Sequence, residues 1–298
     1  MATSKKVTRA GGGSAPQKTA RFVPTAEAKA QAKKLRVFAV LFWVLAIAAQ
    51  IAAIYVLLNM VQPVREITVA APAAEAVIVD GEAPDGALSA RQEAQARSSR
   101  AMTLIILFII LDLIFVVLGS VLFWKKANRL DPASEKDKVR FFLQNQLGVI
   151  MAILAFLPLI ILILTNKDLD DKQKGILGAV AGVALLVAGY FGIDFNPPSI
   201  EQYTAEIERM EELTGGNDVF WTRTGVRYHI YQDCGSINTE RTTSIFSGPL
   251  QYAYAGNTSI TGLCGHCNNK AERLKRLAEQ AAPPPLPEIM SLLPCYAN

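Results

Sequence analysis

Hydrophobic positions in this chain fall in long blocks, without the short alternations of a soluble fold. Val37–Leu58, Ala101–Trp124, Leu147–Thr165 and Gly175–Ile193 are nearly unbroken apolar runs of 19 to 24 residues. At about 1.5 Å per residue, each helix would be long enough to cross a hydrocarbon core of about 30 Å. The pattern predicts a four-helix transmembrane bundle over residues 37–193, with spans at 37–58, 101–124, 147–165 and 175–193. After Asn196-Pro197-Pro198 the period changes. Ile200, Tyr203, Ile207 and Met210 recur at helical spacing among Glu206, Glu208, Glu211 and Glu212, so a connector helix is expected over 199–214. Ser199 and Gln202 read as its capping box and Gly215-Gly216 as its end.

Residues 217–280 predict a small α+β head. Val219-Phe220-Trp221 and Val226-Arg227-Tyr228 read as a hairpin around Arg223-Thr224-Gly225. Ser247-Gly248-Pro249 reads as a turn into a short helix over 250–255 closed by Gly256, and a charged helix is expected over 268–280. Residues 1–25 have the Gly, Ser, Ala and Lys content of a disordered tail, within a basic segment running to residue 36. Ala26–Leu35 reads as a basic helix on the membrane surface or as part of that solvated tail. In the 61–100 loop, Ile67–Val69 and Ala76–Val79 suggest a hairpin, with turns at Asp80-Gly81 and Pro84-Asp85-Gly86. Residues 281–298 form a Pro-rich tail.

The mean hydropathy of +0.25 confirms the apolar excess. The net charge of +4 acquires meaning only from its distribution. Residues 1–36 hold nine Lys/Arg against Glu27 alone, while the 61–100 loop has four Arg and six acids. The 125–146 loop is basic again, through Lys125, Lys126, Arg129, Lys136, Lys138 and Arg140. That alternation predicts a multi-pass cell-membrane protein with both termini cytoplasmic. The first span is expected to remain as a signal anchor, since 36 residues precede it and no small-residue cleavage site follows closely. The positive charge is a topological signal, and no nucleic-acid partner is expected.

Inside the spans, Asp112 stands alone as a charged-type side chain. Such a carboxylate is costly unless it faces the bundle or is protonated. Pro158 is expected to kink the third span. In the fourth, Gly178/Gly182, Ala184/Ala188 and Ala188/Gly192 are small-xxx-small steps that suit close packing within the bundle or an oligomer.

The chemistry concentrates between His229 and Cys267, which hold three of the four cysteines and both histidines. They read H-x4-C, then 29 intervening residues, then C-x2-C. Structural zinc takes four N or S ligands in a tetrahedron, and a C-x2-C turn converges two thiolates on one ion. His229, Cys234, Cys264 and Cys267 are the candidate ligands of one structural Zn²⁺. The helix after Cys267 would aim its N-terminal amides at the thiolates. Competing readings are a redox Cys264/Cys267 pair, a Cys234–His229 nucleophile and base, and His266 replacing His229. A cytoplasmic head lies in a reducing compartment, which favours metal over disulfide. Cys295 is expected to be a free thiol in the tail.

The run Val219-Phe220-Trp221-Thr222, Tyr228-His229, Cys234, Ser247-Gly248 and Cys264-Gly265-His266-Cys267 resembles a small bacterial zinc-binding module spanning about residues 219–267. In that module a Tyr-His, a following Cys and a terminal C-x2-C hold one zinc. The resemblance implies the same ligand set here, on uncharacterised membrane or secreted proteins, and it implies no activity. No acid–base, nucleophile or phosphate-cradling motif accompanies it. The expectation is a non-enzymatic bacterial inner-membrane protein embedded in the lipid bilayer, with a head that binds or scaffolds a protein partner. The alternative is a small transporter or channel with Asp112 in the path and the head as regulator.

Overall fold

The computed structural model describes residues 7–10, 22–61, 85–216 and 218–281. The expected hairpin at 67–79, the turn at Asp80-Gly81, the tail after residue 281 and Cys295 lie outside the described residues. The architecture is mostly helical. Four helices long and apolar enough to cross a membrane form a bundle that continues into a small α+β head.

Helix α1 (Ala26–Asn59) packs along α2 (Asp85–Leu118), and α4 (Lys138–Thr165) along α5 (Asp171–Gly192). A π-helical segment, Gly119–Trp124, carries α2 directly into α3 (Lys125–Leu130). The bundle is largely apolar, and alanines line much of its interior beside larger side chains such as Ile105, Phe156 and Leu159. Ala46, Ala53, Ala152, Ala155, Ala181, Ala184 and Ala188 are buried, while Leu41, Val44, Leu107, Ile161 and Leu186 face outward. Small residues inside let backbones approach, the arrangement that stabilises helices where lipid removes the hydrophobic drive. It is tightest at Gly148 and Gly192. A Cβ added to Gly192 would lie 2.7 Å from the Gly148 carbonyl carbon. Of the fourth-span small residues, Ala184, Ala188 and Gly192 are used inside the bundle, whereas a Cβ on Gly182 would meet nothing within 4 Å.

Three sequence expectations change at the membrane ends. Ala26–Leu35 is neither a separate surface helix nor a solvated tail: it is the first third of α1, begun by Thr25, whose Oγ1 accepts from the Ala28 amide at 3.1 Å. Ala28 and Ala32 recur one turn apart and are buried against the head, while Lys29 and Lys33 on the other side stay exposed. The turn expected at Asp85-Gly86 is the start of α2, so helix replaces loop well before Ala101. Residue Val7 to Arg9 of the tail is a strand, β1, not disordered chain.

Helix α6 (Ile200–Thr214) leads into the head. Ser199 Oγ accepts from the Gln202 amide at 3.0 Å, but the Gln202 side chain turns to Glu206, so only half of the expected box forms. The reciprocal box is at the start of α5, between Asp170 and Gln173. The head sheet has the order β1-β3-β2, with β2 (Asp218–Trp221) antiparallel and β1 parallel to β3 (Ile245–Pro249). Ser247-Gly248-Pro249 is therefore strand and not turn. Gly248 has φ +150°, and a Cβ there would collide with the Ala10 carbonyl. Only glycine lets β1 lie this close. Helices α7 (Leu250–Gly256) and α8 (Gly265–Ala281) complete the head.

One hydrophobic cluster joins Ala28 and Ala32 of α1, Ala127 and Leu130 of α3, Tyr203 of α6, and Trp221, Leu250 and Cys267 of the head. The head is thus built partly on the emerging ends of the first two spans. The Arg129 guanidinium meets Asp194, just past the end of α5, at 2.6 Å, and both side chains are buried. Tyr203 OH donates to the Arg129 carbonyl at 3.1 Å.

Candidate metal centre

The ligand-bearing segment is tied to the sheet by backbone bonds that leave its side chains free to converge. The expected hairpin strand 226–228 is reduced to single bridges, Phe220 with His229 on the edge of β2 away from β3 and Tyr228 with Leu263. Phe220 and His229 exchange both N–H···O bonds at 2.7 Å, fixing the His229 backbone against β2. On its other side, the Cys264 amide donates to the Tyr228 carbonyl at 2.8 Å, and the Tyr228 amide to Gly262 at 3.1 Å. The Tyr-His pair is therefore held between β2 and the chain entering the C-x2-C turn.

Cys234 opens a compact turn in which its carbonyl accepts from Ile237 at 3.0 Å and Asn238 at 2.9 Å. Cys264 stands immediately before α8, and Cys267 lies in that helix's first turn. Helix α8 starts three residues earlier than the sequence suggests, since the knuckle itself forms its first turn. Lys270 clamps the Cys234 loop onto α8. Its Nζ is 2.9 Å from Asp233 Oδ2 and 4.5 Å from the centre of the Tyr231 ring.

The result is one cluster: the donor atoms of His229, Cys234, Cys264 and Cys267 all lie within 4.8 Å of one another. His229 Nδ1 is 3.6 Å from Cys267 Sγ. None of the four residues is more than 8% exposed. His266, by contrast, is exposed and turns its Nδ1 to Ser236 Oγ at 2.9 Å, outside the cluster. Three soft sulfur donors and an imidazole within reach of one point are a donor set that fits a metal ion.

The electrostatics suit a cation. Burial pushes the Cys267 thiol up to about 12, against amides of Tyr231 and Ile230 that pull the other way. Burial also raises the Cys264 thiol, but the Cys267 and His266 amides at the start of α8, with the Ser236 side chain, outweigh it and leave Cys264 below the usual thiol range. Burial, with the nearby His266, holds His229 below its ordinary value, so the imidazole is neutral and keeps a lone pair. A bound cation would replace the thiol protons and compensate the buried thiolates.

The cluster is also connected to the membrane side. Tyr228, next to His229 of the cluster, packs edge-on to Tyr254 at 6.2 Å, and Tyr254 stacks on Tyr203 at 5.2 Å. Tyr203 in turn bonds Arg129 in the ion pair with Asp194. Arg129, Asp194 and Tyr254 carried no signal in the sequence beyond ordinary charge and aromaticity.

Asp112 lies away from this cluster, inside the bundle. It is 1% exposed, and neither carboxylate oxygen has a hydrogen-bond partner among the described residues. Gln50 of α1 is also buried, with its amide nitrogen unpartnered. Trp43 packs against Gly119, and about two turns farther from the head along each antiparallel helix stand Gln50 and Asp112, a register that the sequence alone does not supply. Comparison with known families, curated proteins and solved structures returned no match to this chain, so the resemblance at 219–267 stands on its residues alone.

Proposed function

We propose that the chain is a non-enzymatic, multi-pass protein of a bacterial inner membrane, with both termini cytoplasmic, whose head is stabilised by one Zn²⁺ and serves to dock or scaffold a protein partner. The convergence of His229, Cys234, Cys264 and Cys267 within 4.8 Å carries the reading. Four protein ligands complete a tetrahedron and leave no position for water or substrate, the mark of structural rather than catalytic zinc. A head this small, whose core is shared with α1, α3 and α6, gains further stability from such a clip. The ion would draw the side chains of three backbone segments, at 229, 234 and 264–267, to one point, adding to the backbone bonds that already join Tyr228 to the chain entering the C-x2-C turn. The basic flanks at 1–36 and 125–146 support the cytoplasmic placement.

Transport through Asp112 is the second reading, and the bundle interior weighs against it. Beyond Asp112, on the side away from the head, the interior is lined by Ala53, Val56, Ile105, Ile109, Phe156 and Leu159. None of these relays a proton or replaces a hydration shell.

Metal analysis of the purified full-length protein tests the zinc reading, with one zinc per chain and three protected thiols expected in the head. A metal-free head with Cys264 and Cys267 oxidised to a disulfide would overturn both the ion and the reducing compartment. Thiol labelling of Glu240→Cys in intact and opened cells tests placement. Labelling in intact cells by an impermeant reagent would put the head outside.

A further inference from the structure

Two adjoining clefts, of about 530 and 610 Å³, open between the head-side ends of α1 and α4 and share Arg36 and Arg140. One runs along α4 past Leu143 and Leu147, and the other holds Lys29 and Lys33. Both guanidinium groups lean on one carboxylate. Arg36 Nη1 is 2.8 Å, and Arg140 Nη2 4.0 Å, from Asp131 Oδ2. Asp137 also lines the cleft, but its Oδ1 accepts from the Arg140 amide at 3.1 Å as the cap of α4. Four basic side chains thus face two acidic ones across the joined clefts.

The depth of this charge is set by its neighbours. Val37 and Phe38 directly follow Arg36, and Val139, Phe142 and Leu143 flank Arg140. All five are exposed apolar side chains on the outside of the bundle. Trp124 sits between the two regions, 6.0 Å from the Arg36 guanidinium carbon, with its indole N–H engaged by the Gln144 carbonyl at 2.7 Å. Tryptophan at such a boundary is the usual marker of the headgroup level. The cleft is therefore basic at the headgroup depth and apolar where acyl chains begin.

We propose that this cleft binds one anionic phospholipid of the head-side leaflet. Arg36, Arg140 and Lys33 take the phosphate, and the acyl chains lie along Leu143 and Leu147. Guanidinium groups match phosphate geometry, and basic pockets between spans attract anionic headgroups. The proposal rests on the membrane reading above and is independent of the metal.

The test uses full-length protein in detergent, titrated with phosphatidylglycerol, with phosphatidylcholine or with inorganic phosphate, and read by native mass spectrometry and melting temperature. Arg140→Gln and Lys33→Gln are the informative variants, because Arg140 is 56% exposed and Lys33 is exposed, so neither should disturb folding. Lys275→Gln on α8 is the control. Phosphatidylglycerol should be retained and raise the melting temperature. Each of the two variants should weaken it about 5-fold and the double variant about 25-fold, the scale for one basic group at an anionic headgroup surface. Equal retention of phosphatidylcholine, an unaffected double variant, or a full shift from inorganic phosphate alone would overturn the proposal. Recovery of the protein from the membrane fraction checks the underlying bilayer reading separately.

Discussion

Arg129 and Asp194 form a 2.6 Å ion pair at the joint between bundle and head, with side chains only 4% and 5% exposed. The pair links the end of the second span to the chain leaving the fourth. Arg129 also reaches the Thr258 carbonyl at 3.4 Å in the head. Two buried charges are tolerated only as a pair, since each alone is an uncompensated charge in a poor solvent for it.

Arg129→Met or Asp194→Leu alone is therefore expected to cost about 3–5 kcal/mol, and the double variant is expected to recover most of that loss. Thermal unfolding of purified protein in detergent reads both. Additive losses in the double variant would mean that each residue acts through separate contacts.

Much of this joint was illegible in the sequence for a physical reason. Arg129 and Asp194 are 65 positions apart and each reads as an ordinary flank charge. The four spans were legible because composition alone decides whether a helix is stable in lipid. The metal cluster was legible because a C-x2-C turn is local chemistry and few other arrangements use it. The head-side extension of α1 was hidden by its lysines, although Ala28 and Ala32 make its contacts. Strand β1 was hidden because three residues of a basic tail acquire their conformation only by pairing with Ile245–Ser247, far along the chain.

Cys267→Ser is expected to abolish metal binding and unfold the head, as binding free energy is folding free energy in such sites. Circular dichroism and metal content before and after chelation check this. His266→Ala should leave metal content unchanged, because its ring faces Ser236 outside the cluster.

In the metal-free protein the pH window should narrow from both sides. Cys267 stays a protonated thiol in the fold up to about 12, whereas the unfolded thiol ionises near 9.0, so stability falls as pH rises above that value. His229 resists protonation in the fold, so the unfolded state takes up protons first and stability also falls below about pH 6.5. Bound metal should flatten the alkaline side. It should leave an acid limit, where protons compete for the ligands. Melting temperature against pH, with and without zinc, separates the two.

Gly192→Val is expected to destabilise the bundle by about 1–3 kcal/mol, since a side chain there would drive into the Gly148 backbone. Gly182→Val, with open space around its Cβ, should be nearly neutral in detergent unfolding. Equal effects would mean that the outward face of α5 is covered by another chain.

Asp112 of α2 and Gln50 of α1 are both buried in the bundle, and neither the two carboxylate oxygens nor the Gln50 amide nitrogen has a hydrogen-bond partner among the described residues. A carboxyl group with neither oxygen bonded, in the apolar centre of a bundle, opposes stability whatever its protonation state. Asp112→Leu should therefore raise stability by about 1–3 kcal/mol, the desolvation cost of an unpaired buried group. Asp112→Asn should be close to neutral, because a carboxamide of the same size replaces one unpartnered buried polar group with another. Unfolding of the three proteins in the same detergent decides it. A fall in stability with Leu would mean that the carboxyl group holds a bound water or ion. Proton or cation flux in liposomes that disappears with Asp112→Asn would establish a transport path and displace the scaffold reading.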